Sequence, residues 1–195
     1  MLKLAVFLLA VFCYANGQSF PINAVAIIGG GIMNPGMREP VMAFGDAKFS
    51  QLSPRDPVVV RLNVTFMPAN SPIVNQVRGV HIHTFGISGG MLDPSQVCNT
   101  AGPHWNPTGT RHGSVMSKNS HAGDLGNVQT INGRIVTTIS SAKLQLLGPN
   151  SIIGRSIVLH EKIDDQGMGN HPESLKSGNS GSRIACGTIG IVSSF

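Results

Sequence analysis

The chain has 195 residues, with 14 Lys and Arg against 9 Asp and Glu, a net charge of +5, and only 5% aromatic residues. The charges are scattered, without a basic run or interleaved aromatics, which argues against a nucleic-acid-binding surface. Its length suits one domain with its own core.

The first segment reads as an address. Lys3 precedes the apolar run Leu4 to Tyr14, and Ala15-Asn16-Gly17 offers small residues for cleavage before about Gln18. That run is too short to span a bilayer. Residues 1–17 are therefore expected to be a signal peptide and residues 18–195 a single secreted, extracellular domain with no membrane span. Cleavage removes Cys13 and leaves Cys98 and Cys186, an even pair expected to form one disulfide in an oxidising compartment. The bridge would close a loop of roughly ninety residues, worth about 4 kcal/mol in the chain-entropy model. Asn63-Val64-Thr65 is a glycosylation sequon, usable on a secreted chain.

Short β-rich runs follow in order: Ala24–Ile28, Val58–Phe66, Val77–Thr84, Asn127–Ile131, Arg134–Ile139, Ser151–His160 and Ile184–Val192. Gly29-Gly30-Gly31 is expected to turn after the first of them, since no Lys-Ser/Thr follows to make a phosphate loop. Asn132-Gly133 is a strong hairpin signal, because both residues tolerate positive φ. No segment keeps a 3.6-residue apolar period. The pattern predicts an all-β antiparallel sandwich or barrel. Gly86 to Asn127 and Asp164 to Ser182 do not read as strands, and loops this long are usually functional.

Seven histidines occur, and six of them, with one carboxylate, have metal-ligand character. His81 and His83 lie two apart in a strand-like run, so their side chains share a face. His160 ends another such run and could join them, although ordinary buried histidines would read the same. His104, His112, His121 and Asp124 lie in loop sequence; three nitrogens and one oxygen suit a closed, structural zinc site, and solvated loop histidines are the alternative. His171 stands outside the set.

The flanking residues narrow these choices. Gly79-Val80-His81-Ile82-His83-Thr84-Phe85-Gly86, Ala101-Gly102-Pro103-His104-Trp105-Asn106-Pro107, His121-Ala122-Gly123-Asp124-Leu125-Gly126-Asn127, Ile152-Ile153-Gly154-Arg155 with His160-Glu161-Lys162, and Gly178-Asn179-Ser180-Gly181-Ser182-Arg183-Ile184-Ala185-Cys186-Gly187 closely resemble the copper–zinc superoxide dismutases. The resemblance runs through about residues 77–193 and is loose before Arg78. It implies a Greek-key antiparallel β-sandwich, or flattened eight-stranded barrel, with two long functional loops. It also implies one copper ion and one zinc ion per subunit. His81, His83, His104 and His160 would hold copper; His104, His112, His121 and Asp124 would hold zinc, with His104 shared. Asp164 would link ligands of the two sites, Arg183 would bind the anionic substrate, and Cys98 and Cys186 would be the family's disulfide.

The implied activity is dismutation of superoxide to oxygen and hydrogen peroxide by copper redox cycling. In that scheme His104 leaves copper and takes a proton in the first half-reaction, then reverses both steps. The alternative is a non-catalytic secreted copper-carrying or interaction protein on the same scaffold. A homodimer is expected by resemblance, but the segment between His83 and Cys98 is about six residues longer than the common family spacing, with Ser88-Gly89-Gly90-Met91-Leu92-Asp93 in the added region. Pro172 stands where many members have an acidic residue, beside the charged positions Glu173 and Lys176. Ser193-Ser194-Phe195 lacks the basic tail that binds heparin in some members.

Overall fold

The computed structural model describes residues 20–32, 40–69, 71, 75–88 and 96–195. The expected signal peptide lies outside them, as does nearly all of the added region after Ser88. Nine antiparallel strands are formed among the described residues: β1 (Ile22–Ile32), β2 (Val41–Gln51), β3 (Val58–Met67), β4 (Val77–His83), β5 (Asp124–Gln129), β6 (Arg134–Ser141), β7 (Ser156–His160), β8 (Arg183–Thr188) and β9 (Gly190–Val192). Hydrogen bonding joins them in the order β5-β4-β7-β8-β1-β2-β3-β6, with β9 continuing the pairing along β1. The two ends of this order, β5 and β6, are linked through a tight turn whose flanking residues, Ile131 and Arg134, form an isolated bridge. The result is the expected Greek-key β fold, a flattened and nearly closed barrel.

Period-two alternation drives the barrel. Val58, Val60, Leu62, Val64 and Phe66 of β3 are buried, while Arg61, Asn63 and Met67 between or beyond them are exposed. A fully buried Val, Leu or Phe contributes roughly 1.5–3 kcal/mol, so this one strand supplies a large share of the core. Phe49, Ile82, Ile135, Leu144, Ile152 and Ile157 complete it from the other strands and from the crossover between β6 and β7.

Several local expectations are corrected. The Gly29-Gly30-Gly31 segment is not a turn but the last part of β1, where it faces Phe44, Ala43 and Met42 across β2. A Cβ on Gly30 would lie 2.1 Å from the carbonyl oxygen of Ile184, so its glycine is explained by close approach of β8. The whole of β2 escaped the strand pattern because its inward positions include Ala43, Gly45 and Ala47, whereas Met42 and Phe44 point outward. Contrast between the faces is thereby reversed. The run Ser151–His160 becomes strand only from Ser156, since Gly154 has φ of +80° and forms a turn. Ile184–Val192 divides at buried Ile189 into β8 and β9. Asn132 and Gly133 do have positive φ, 49° and 72°, but their tight turn closes the barrel seam and does not extend into a paired hairpin.

Two long connections cover one outer face. The described residues 84–88 and 96–123 of the first include the 3₁₀ turn Val97–Ala101, and residues 161–182 contain the short helix α1 (Ser174–Ser177). Cys98 in the 3₁₀ turn is bonded to Cys186 in β8, across 88 residues of sequence.

Candidate metal centre

The site grows from the face of the barrel that the two loops cover. Val80 and Ile82 of β4 enter the core, leaving His81 and His83 on the opposite face, where both are completely buried. Register places Asp124 of β5 beside His81 on one side and Val158 of β7 beside it on the other. His160 ends β7 opposite Arg183 of β8.

His104 comes from the loop, yet that loop is tied to the sheet like an added strand. Trp105 donates its backbone N–H to the Ile82 carbonyl at 2.8 Å, and Gly123 donates to the Trp105 carbonyl at 2.9 Å. A Cβ on Gly123 would sit 2.2 Å from the Ile82 oxygen, so only glycine permits this approach.

The structure brings the seven expected donors together at this face, and its two donor groups overlap at His81 and His104. Asp124 Oδ1 lies 3.0 Å from His104 Nδ1, 2.9 Å from His112 Nδ1 and 3.2 Å from His121 Nδ1. His121 Nδ1 is 3.4 Å from His104 Nδ1. A tetrahedral ion with ligand bonds of about 2.0 Å has ligand–ligand edges of about 3.3 Å, close to these separations. His81 also comes within ligand-group distance of His104, His112 and Asp124. His121 lies outside that group, but its Nδ1 faces the same carboxylate oxygen as the His104 and His112 rings. The second group is His81, His83, His104 and His160, each buried and each offering one nitrogen within 4.8 Å of the rest.

Hydrogen bonds decide which nitrogens remain for a metal. His81 Nε2 lies 2.9 Å from Asp164 Oδ2, and His112 Nε2 lies 2.7 Å from Asp164 Oδ1. His83 Nδ1 donates to the Gly102 carbonyl at 2.8 Å, and His160 Nδ1 faces the Gly181 carbonyl at 3.3 Å. That leaves the Nε2 atoms of His83 and His160, 3.3 Å apart, together with His81 Nδ1 and His104 Nε2. The last two are buried with no hydrogen-bond partner among the described residues. Buried polar atoms are seldom left so, and a nitrogen-ligated metal would satisfy both.

The electrostatics agree with this donor set. Burial, reinforced by the neighbouring imidazoles, pushes His81 and His83 well below the usual histidine range and His160 down to about 3. Burial also lowers His104. These rings are held neutral, the form that ligates metals. His112 differs: burial opposes its charge, but Asp124 and Asp164 outweigh that and raise it to about 9. Burial opposes the Asp124 charge as well, yet the surrounding imidazoles keep it far below the carboxylate range. Two buried carboxylates facing one imidazole call for positive charge between them.

Of the residues that support these donors, Asp164 and Arg183 were expected from the sequence and Asn127 was not. Asn127 Nδ2 donates to the Asp164 carbonyl and Asp164 N–H donates to Asn127 Oδ1, both at 2.8 Å, which fixes the backbone of the linking carboxylate. Asn127 closes the Gly-Asp-Leu-Gly-Asn block, the signal from which it could have been found. Arg183, partly buried at the start of β8, donates through Nη1 to the carbonyls of Cys98 at 3.1 Å and Asn99 at 3.3 Å. Its charge helps to lower both His83 and His160. His171 remains apart and exposed, accepting the Glu173 N–H at 3.1 Å. Glu173 pairs with Lys176 at 3.0 Å on the surface.

The model of the copper/zinc superoxide dismutase family matches residues 43–189. The chain belongs to the copper–zinc superoxide dismutases. It is 43% identical to the superoxide dismutase [Cu-Zn] of Podospora anserina over 148 residues, covering 75% of this chain and 89% of that protein. The enzyme of Schizosaccharomyces pombe is 44% identical over the same proportions. The crystal structure of the clock protein EA4 superposes with a TM-score of 0.71 at 35% identity, covering 91% of this chain and 99% of that one. The protein is thus an enzyme, a superoxide dismutase of the copper–zinc type, and its family implies both metals. The donor groups fit that pair: one all-imidazole set and one three-imidazole, one-carboxylate set.

Proposed function

We propose that the protein dismutates superoxide, two anions and two protons giving oxygen and hydrogen peroxide, at a copper held by His81, His83, His104 and His160. Zinc is assigned to His104, His112, His121 and Asp124, one ion of each metal per subunit. The observation that carries this reading is His104, whose Nδ1 faces Asp124 while its Nε2 is left without a partner beside the other imidazole group. Copper, when bound, supplies the one-electron redox couple.

The remaining work falls to the chain. His104 is the ring placed to hold or release a proton at Nε2. Asp164 orients His81 and His112 together, so a shift at one group is felt at the other. Arg183 offers a fixed positive charge beside His83 and His160, suited to a small anion, and its two backbone acceptors aim it. The enzyme acts outside the cell after loss of residues 1–17, as the domain 18–195 and as a homodimer, with Asn63 exposed on β3 for glycosylation.

Metal content and dismutation measured on the same sample test the proposal. Loaded protein should turn over superoxide. Arg183→Ile should retain copper yet lose roughly 10- to 100-fold in rate, within the range that electrostatic steering supplies. Full loading without turnover would sink the catalytic reading and leave the non-catalytic carrier.

A further inference from the structure

Residues 113–120 span the gap between two of the zinc-type donors, His112 and His121, and none of them belongs to the main apolar core. Their order comes from polar contacts. The Ser114 carbonyl accepts the Ser117 N–H at 2.9 Å and the Ser120 hydroxyl at 2.7 Å. Lys143 arrives from the crossover after β6, and its Nζ donates to both the Ser117 carbonyl and Ser120 Oγ. Ser120 is only 2% exposed and immediately precedes His121. Among the described residues no carboxylate lies within ion-pairing distance of Lys143.

We propose that Lys143 is a positioning residue for zinc: by clamping Ser117 and Ser120 it fixes the backbone that presents His121 to Asp124 and His104. The inference rests on the assignment of His121 as a zinc ligand. Its physical logic is pre-organisation, since a loop already held in the liganding geometry has less freedom to lose when the ion binds. The ammonium is partly withdrawn from water to make the clamp. Burial lowers the Lys143 pKa, with Asp124 acting in the opposite sense. Lys143 lies outside the apolar core, so core packing does not account for its contacts with Ser117 and Ser120.

The test uses Lys143→Met, which keeps the aliphatic stem and removes the donors, in the metal-loaded full chain. Zinc transfer to a chromogenic chelator should accelerate about 10- to 100-fold, the usual consequence of losing a group that orients ligands. The visible absorption bands of the Co(II)-substituted variant should shift from those of the parent, and Lys143→Arg should recover most of the loss. Ser120→Ala removes the same contact from the other side and should act in the same direction if Lys143→Met folds poorly. Zinc release and Co(II) bands unchanged in Lys143→Met, even with a lower Tm, would overturn the proposal, as would equal loss in the Met and Arg variants. If the parent chain takes up no zinc, the metal assignment itself falls, and this inference with it.

Discussion

Asp164 shows how much one side chain can settle. Its two oxygens hold Nε2 of His81 and Nε2 of His112, so the tautomers of rings in both groups depend on it. In Asp164→Asn the amide has one acceptor oxygen, and its NH2 cannot accept from the other ring. The expected outcome is a loss of about 10- to 100-fold in metal affinity, checked by chelator competition for copper and zinc separately, with both affected. The donors themselves were legible because short blocks such as Gly-Val-His-Ile-His and His-Ala-Gly-Asp-Leu-Gly-Asn surround them. Asp164 was legible through the same resemblance. The other groups that turn the rings were not: Gly102 and Gly181 act on residues 19 and 21 positions away, through a carbonyl that every residue carries.

At the scale of elements, strands with large inward and polar outward residues were readable, and β3 and β6 are the clearest. Strand β2 was hidden by small inward residues, and the three glycines of β1 looked like a turn until β8 was seen pressed against them. Gly30→Val should therefore damage the β1–β8 contact. Its Cβ would meet the Ile184 carbonyl at 2.1 Å, with the Ala185 Cα at 2.6 Å. Overpacking of this kind costs about 1–3 kcal/mol or more, to be read from the midpoint of urea unfolding. The Cys98–Cys186 bridge ties the loop to β8 and holds the carbonyls that aim Arg183. Cys186→Ser should cost about 4 kcal/mol for a loop of this length. It should also lower activity beyond any loss of copper, because the Arg183 acceptors lie in the released segment; thermal unfolding and turnover per copper measure the two effects separately.

Across the whole molecule, barrel and loops draw their stability from different sources. The barrel has a continuous apolar core, whereas residues 96–123 and 161–182 depend heavily on polar contacts and on what the donor groups hold. Binding that favours the folded state adds about 4 kcal/mol when free ligand exceeds Kd a thousandfold. Removing the metals should accordingly lower Tm and raise hydrogen exchange in those two loops first, while β1, β2, β3 and β6 keep their protection. Uniform loss across barrel and loops would contradict this division.

Sequence by itself determined the donor inventory, the disulfide pair and the antiparallel β class, because residue type and period-two burial are local properties. Tertiary structure decided the rest: that His104 turns Nδ1 to Asp124 and leaves Nε2 beside the other imidazoles, that the Gly102 and Gly181 carbonyls face His83 and His160, and that a tight turn at Ile131 and Arg134 links the two ends of the strand order. Those outcomes depend on partners distant along the chain, whose positions exist only once the strands have paired and the loops have folded across them.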